Sequence, residues 1–328
     1  MSISKQIELK LEQVLSNICN KAEPQELYAP IKYMISIGGK RLRPNMSLTT
    51  YSLFSENIND SILYPAAALE IFHEFTLIHD DIMDNAPLRR GYPTVYKKWD
   101  GNLAILSGDV MCIKSYELLA YCPKDKIDSI FSLFTKTAIK VCEGQQYDIN
   151  FESRANITMN DYIKMIGLKT AVLIACSAKI GAIIAGAKDD LCEALYDYGY
   201  HLGLAFQIQD DYLDTFGDSS TFGKTIGGDI ANNKKTWLLI ECFNRLKEPG
   251  KEKELNLLEK YLNNPISQEE KFEKIKDLYI KEGVKEAAEK TINQYYKEAL
   301  DTIKCKSFSS EQISILESFA NKLLNRIK

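Results

Sequence analysis

An all-α fold is predicted by three features of the chain. Apolar residues recur at helical spacing, no segment alternates with the period of a strand, and the breakers fall between the helical patterns. The breakers are Gly38-Gly39, Pro44, the stretch from Pro87 to Pro93, Pro123, the stretch from Gly217 to Gly228, and Pro249-Gly250. None forms a long flexible linker, so one domain spanning residues 1–328 is expected.

Taken in order, the first stripe is Ile3, Ile7, Leu11, Val14 and Ile18. A long helix follows from Asp60 to Asn85, with Asp60 as the expected N-cap. The segment from Ala171 to Ala187 is the most apolar, but Lys179 interrupts it and it is short for a membrane span, so it reads as a buried core helix. A second long helix is expected from Asp189 to Phe216. Val284, Ala288, Ile292, Tyr295 and Ala299 make another stripe, and Ile313, Leu316, Phe319, Leu323 and Ile327 the last. No repeat of solenoid length is visible.

Composition narrows the function. Hydrophobic residues make up 45% and charged residues 26% of the 328, an ordinary globular balance that argues against disorder. The formal net charge of −4 argues against a nucleic-acid binder, so any anion must be met by a local basic cluster. The eight cysteines are scattered without a C-x-x-C pair, which disfavours a zinc site or disulfide scaffold and favours a reducing compartment. The N-terminal MSISKQIELKLEQ lacks the apolar stretch of a signal peptide. A cytoplasmic protein without stable membrane insertion is the expectation.

The chemistry is concentrated in one long-range echo. Asp80-Asp81-Ile82-Met83-Asp84 and Asp210-Asp211-Tyr212-Leu213-Asp214 both read D-D-x-x-D, each at the end of a long helical pattern. On a helix, the first and last aspartates are four residues apart and share a face, and the second flanks it. Three carboxylates at a helix C-terminus repel one another and oppose the macrodipole. They call for cations, and hard divalent ions such as Mg²⁺ suit carboxylate oxygens and complete their shell with substrate phosphates. A lone motif of this kind reads equally well as a solvated helix end; two of them weaken that reading.

Basic clusters supply the complement. Gly38-Gly39-Lys40-Arg41-Leu42-Arg43-Pro44 places three cations behind two glycines, Arg89-Arg90-Gly91 follows the first acidic motif, and Lys224, Lys234 and Lys235 follow the second. Arginine and lysine are the usual partners of phosphate. Metal-bearing acids and direct basic contacts together make a diphosphate clamp. His73 shares a helical face with Thr76, Asp80 and Asp84, where it can pack or contact phosphate. His79-Asp80 is an H-D pair, but three histidines in all are too few for a hydrolase of that type. Gly223-Lys224-Thr225 resembles the end of a P-loop, yet the glycine needed six residues before Lys224 is replaced by Asp218.

With these motifs in view, the sequence resembles the trans-isoprenyl diphosphate synthases, or polyprenyl synthetases. The resemblance runs through GGKRLRP, LIHDDIMDNAPLRRG, the Gly167-Leu168-Lys169-Thr170 segment, FQIQDDYLDTFGD and GGDIANNKKTW. It implies a prenyl synthase helical bundle with a deep central cavity between long core helices, the two aspartate motifs facing each other across its mouth, and a homodimer. It also implies three Mg²⁺ per active site, with Mn²⁺ as a substitute, held by Asp80, Asp81, Asp84, Asp210, Asp211 and Asp214, with Asp81 and Asp211 at the edge. Arg89, Lys169, Lys224 and Lys234 match positions that contact the allylic diphosphate. Lys40, Arg43, His73 and Arg90 match those that hold isopentenyl diphosphate. Lys169, Thr170 and Gln207 carry the catalytic role, the last two beside the developing carbocation.

The implied reaction is head-to-tail condensation of isopentenyl diphosphate with dimethylallyl, geranyl or farnesyl diphosphate by ionisation, condensation and elimination. It needs no side-chain nucleophile, and none of the usual Ser/His/Asp or Cys/His constellations is present. In the family, the positions four and five before the first motif help set product length; here they are Thr76 and Phe75. A bulky Phe75 favours a short all-trans product, fifteen-carbon farnesyl diphosphate ahead of twenty-carbon geranylgeranyl diphosphate. Alternatives are a longer-chain synthase, a non-catalytic regulatory partner, a terpene cyclase, for which the second motif is too rich in aspartate, and a helical interaction protein whose acidic clusters are solvated helix ends.

Overall fold

A computed structural model describes residues 5–20, 22–154, 156–217, 226–264 and 266–324. It is helical almost throughout, as the spacing predicts. In chain order come α1 (Lys5–Asn17), α2 (Gln25–Ser36), α3 (Leu42–Ser52), α4 (Asp60–Met83), α5 (Val95–Lys98), α6 (Gly101–Leu119), α7 (Ile127–Ser153), α8 (Met159–Ile166), α9 (Val172–Ile184) and α10 (Asp189–Phe216). Then follow α11 (Gly228–Ala231), α12 (Trp237–Leu246), α13 (Glu252–Asn263), α14 (Gln268–Lys281), α15 (Val284–Lys304) and α16 (Ser310–Leu324).

Two departures from the sequence reading are local. Helix α4 is capped by Asn59, whose side chain accepts the Ser61 amide, so Asp60 is its first helical residue and not its cap. Adjacent residues of equal capping preference are separated only by backbone geometry. After α4 the chain makes a minimal hairpin, Leu88–Arg89 against Tyr92–Pro93, with Arg90 (φ 54°) and Gly91 (φ 80°) in the left-handed region at its turn. Two residues a side are too short to show strand periodicity.

The chain groups into two compact units. One comprises the described residues up to Ala138, Leu173–Gly199 and Thr302–Phe319; the other comprises Ile139–Val172, Tyr200–Asp301 and the residues from Ala320 onward. In the first unit α4 packs along α6. Small residues allow this: Ala66, Ala67 and Ala68 on α4 and Ala104, Ser107 and Gly108 on α6 are all fully buried. A Cβ at Gly108 would overlap the His79 ring, so the glycine permits the close approach. Phe72, Phe134 and Tyr116 extend the packing as an edge-to-face aromatic ladder, with centroids 5.1 Å apart at each step.

The second unit is built on a cluster from α7, α8, α10, α12, α14 and α15. Phe151, Tyr162, Ile208, Trp237, Ile275, Tyr279, Val284 and Ile292 are among its buried members. Helix α8 begins with a full capping box, in which Thr158 accepts the Asp161 amide and Asp161 accepts the Thr158 amide. Between α8 and α9 the chain runs as a π-helix from Gly167 to Ala171. Such segments insert a residue into the helical ladder and recur at functional sites. Met159–Ile184 is long and apolar enough to cross a membrane, and 78% of its apolar window is buried within the fold.

Candidate active site

The first acidic motif occupies the last turn of α4. Asp80 is half-buried, Asp81 is buried and Asp84 is exposed at the C-cap. Asp81 is gripped by Arg89 from the hairpin, whose Nε lies 2.9 Å from Oδ2 and whose Nη2 lies 2.7 Å from Oδ1. Burial raises the Asp81 pKa, and Arg89 opposes that shift. Arg89 is therefore aligned by an aspartate of the motif that it follows.

Around this turn lie the residues expected to hold isopentenyl diphosphate. Lys40 is exposed, directly after Gly38 (φ 75°) and Gly39. Arg43 is buried in the first turn of α3. His73 is half-buried, and its pKa lies well below the ordinary imidazole value, through burial and then the charges of Arg43, Arg90, Arg89 and Arg41. It is neutral near pH 7, so it can offer a diphosphate a hydrogen bond but no charge. Arg90 donates from Nη1 and Nη2 to Glu74 Oε1, both at 3.1 Å. Phe75 turns its ring onto Phe72 and His79, at centroid distances of 5.4 and 4.8 Å. Thr76 donates its hydroxyl to the His73 carbonyl of its own helix at 2.7 Å.

The second motif occupies the C-terminal part of α10. Asp210 is half-buried, whereas Asp211 and Asp214 are buried. Asp211 accepts three hydrogen bonds, from the Tyr162 hydroxyl (2.6 Å), the Trp237 amide (2.9 Å) and Gln207 Nε2 (3.2 Å). Its carboxyl is nevertheless pushed up to about 7, first by burial and then by the charge of Asp229. Asp214 accepts the Asp229 amide at 3.0 Å, and its carbonyl accepts the Gly227 amide at 2.7 Å. Gly227 has φ 86°, which suits glycine at the start of α11.

The π-helical segment presents the catalytic candidates of this unit. Lys169 Nζ is 2.6 Å from Asp148 of α7. Thr170 donates to Gln207 Oε1 at 2.9 Å, and Gln207 in turn donates to Asp211, so Thr170, Gln207, Asp211 and Tyr162 form one continuous chain. Lys234 is exposed, and its backbone amide bonds the Asp229 carbonyl at 2.9 Å. Lys224 lies outside the described residues.

The sequence reading passed over Glu70, Glu74, Asp148, Tyr162, Asp229 and Trp237. The signal for two of them was present: Glu70 and Glu74 sit one turn apart within an apolar run and need buried cationic partners. Asp229 follows the glycine pair of GGD. Nothing local marks Tyr162 or Trp237, which reach Asp211 only through the fold.

Among the described residues, no group of three or more His, Cys, Asp or Glu side chains stands at metal-ligand spacing. The donor chemistry still fits Mg²⁺. Asp80 and Asp84 of the first motif and Asp210 of the second keep some exposure, and Mg²⁺ typically takes only one or two protein carboxylates together with water and substrate phosphate oxygens.

The sequence model of the family described as polyprenyl synthetase matches residues 24–279. The chain belongs to the polyprenyl synthetase family. Among curated members of the family, a geranylgeranyl diphosphate synthase of Methanosarcina mazei is 38% identical over 237 residues, covering 72% of this chain and 73% of its own. A short chain isoprenyl diphosphate synthase of Methanocaldococcus jannaschii is 39% identical over 259 residues, covering 79% and 78%. A solved geranylgeranyl pyrophosphate synthase superimposes with a TM-score of 0.93 at 40% identity, each chain covered in full. The helical bundle is therefore a prenyl synthase bundle. Both aspartate motifs and the Arg89-Arg90 pair fall inside the matched polyprenyl synthetase region.

Proposed function

We propose that the chain is a trans-isoprenyl diphosphate synthase acting as one catalytic domain, which condenses isopentenyl diphosphate head to tail with an allylic diphosphate. The observation that carries this reading is the pair of D-D-x-x-D motifs on helix ends α4 and α10, each accompanied by arginine or lysine, in a member of this family.

Asp80, Asp84, Asp210 and the buried Asp214 are the residues that would hold Mg²⁺, with Asp81 and Asp211 orienting Arg89 and Gln207. The chemistry that Mg²⁺ supplies when bound is neutralisation of diphosphate charge, which eases departure of the leaving group. Arg89, Lys169, Lys224 and Lys234 bind the allylic diphosphate and stabilise the negative charge that it gains as the allylic C–O bond breaks. The bond's electron pair leaves with the diphosphate. Thr170 and Gln207, bonded to each other, lie beside the carbocation, where water is excluded. Lys40, Arg43, His73 and Arg90 hold isopentenyl diphosphate, whose double bond attacks the cation. The proton then lost passes to the released diphosphate.

The product is assigned to the short all-trans class. Phe75 favours a shallow floor, and the names of the Methanosarcina mazei relative and of the solved synthase move the weight from farnesyl to geranylgeranyl diphosphate. Helix α6 exposes Ile105, Leu106 and Ile113 at 45%, 55% and 69%, a row that suits a second copy of the chain in a homodimer. A monomer in sedimentation equilibrium would refute that part. The function itself is tested by supplying isopentenyl diphosphate and Mg²⁺ with dimethylallyl, geranyl or farnesyl diphosphate and resolving the products by chain length. A product of geranylgeranyl length is expected, and failure of every primer to extend would refute the assignment.

A further inference from the structure

Helix α4 buries two carboxylates that the reaction does not call for. Glu70 and Glu74 are 2% and 0% exposed, one turn apart on a helix face lined by alanine, leucine and isoleucine. Charges so placed persist only when they are paired. Their partners are arginines from two separate glycine-containing loops. Arg41 Nη1 lies 3.1 Å from Glu70 Oε1 and 3.3 Å from Glu74 Oε1, and Arg90 meets the same Glu74 oxygen with both terminal nitrogens.

The backbone of both arginines is unusual. Arg41 has φ 47° and Arg90 φ 54°, in the left-handed region that non-glycine residues seldom occupy. Such conformations persist where the surroundings over-determine them. Glu74 is the point at which the two side chains converge. On its other side the Arg90 guanidinium lies against Gly39, where an added Cβ would stand 2.9 Å from Nη2. Arg90 is thus held between a buried acid and a bare backbone, yet its side chain remains 27% exposed. The carboxylate takes one hydrogen from each terminal nitrogen and leaves Nε and the outer hydrogens for an incoming anion.

We propose that Glu74 is a positioning residue for isopentenyl diphosphate: by holding Arg90, with Arg41, it fixes the guanidinium edge that the diphosphate meets. This rests on the reading that Arg90 contacts that substrate. An arginine without such a hold must be ordered at the moment of binding, which weakens affinity for that substrate alone.

The charged groups facing Glu74 are Arg41 and Arg43 from the start of α3, Arg89 and Arg90 from the hairpin, and Glu70 on α4 itself; Glu12 of α1 pairs with Arg41 from the far side. Burial, and then Glu70, push the Glu74 carboxyl up to about 7 against the pull of Arg90 and Arg41. Protonation near neutrality would loosen the hold on Arg90, so affinity for isopentenyl diphosphate should weaken on acidification.

The test is Glu74→Gln, which keeps the shape and removes the charge, with Glu74→Asp as the conservative comparison. Steady-state kinetics should show KM for isopentenyl diphosphate raised about tenfold, KM for the allylic substrate within about twofold, kcat within about threefold, and partial recovery with Asp. Calorimetric titration with isopentenyl diphosphate alone should show the same loss of affinity. Wild-type KM for this substrate should rise between pH 8 and pH 6 more steeply than that of Glu74→Gln. An unchanged KM, or equal rises for both substrates, overturns the proposal. An active wild type with those outcomes leaves the synthase assignment standing, whereas a wild type inactive with every primer refutes that assignment instead.

Discussion

Tyr162 donates its hydroxyl to Asp211 Oδ2 at 2.6 Å, and both groups are buried. The bond joins α8 to α10 and fixes the central aspartate of the second motif in a position that Gln207 and Thr170 share. Tyr162→Phe removes the donor and leaves part of a buried carboxylate unsatisfied, which typically costs ~1–3 kcal/mol. Urea unfolding should show that loss together with a reduced kcat. A stable variant with full activity would mean that the Trp237 amide and Gln207 hold Asp211 unaided.

The metal-free protein should lose stability as pH rises towards neutrality. Burial raises the carboxyls of both Glu74 and Asp211 to about 7, and unfolded they titrate near ~4. Between those values the folded state binds the extra protons, so the two contributions are complete below about pH 4 and are lost as pH passes 7. His73, held neutral in the fold, acts in the opposite sense below ~6.5. The Asp81 carboxyl, also raised by burial, adds to the two against the one imidazole. Urea midpoints with a chelator present should fall from pH 5.5 to pH 7.5, and the Asp211→Asn protein should fall less. A midpoint that climbs over this range contradicts the burial argument.

Gly144 of α7 lies against the π-helical segment, where an added Cβ would stand 2.7 Å from Leu168 C and from Lys169 Cα. Gly to Ala inside a helix is ordinarily stabilising by ~1 kcal/mol. Here the neighbour is backbone and cannot step aside, so overpacking of ~1–3 kcal/mol should prevail. Gly144→Ala is expected to lower the melting temperature and, by displacing Lys169 and Thr170, to reduce kcat at least tenfold. A more stable and fully active variant would show that the segment can shift without consequence.

Phe75 touches Phe72 and His79 and is only half-buried, which suits a floor residue better than a core residue. Phe75→Ala should shift the product distribution towards longer chains, read by chromatography of the dephosphorylated alcohols. An unchanged distribution places the floor elsewhere.

Helix periodicity and two repeated motifs made much of this legible from the amino-acid order. The bounds of α10 follow from an uninterrupted apolar pattern between Asp189 and Phe216. Asp80, Asp84 and Asp210 stand out because carboxylates repeat where a helix end disfavours them. What stayed hidden depends on long-range pairing. Glu74 and Glu70 mark themselves as acids within an apolar run, but their partners Arg41 and Arg90 arrive only through the fold, from loops on either side of α4 in the chain. The π-helix at Gly167–Ala171 lies against Gly144 and Tyr200, and no spacing of apolar residues encodes it. Asp211 resembles its neighbours in the motif, but three donors from α8, α10 and α12 make it a structural centre.

The central claim is that the aspartate motifs drive carbon–carbon bond formation between two prenyl diphosphates. The most direct measurement is mass spectrometry of products from isopentenyl and geranyl diphosphates with Mg²⁺, for wild type, Asp80→Ala and Asp210→Ala. Chains extended by whole isoprene units are expected from the wild type, with turnover in each variant lower by at least a hundredfold and helical circular dichroism retained. Extension at wild-type rates by both variants, or no extension by the wild type, would contradict it.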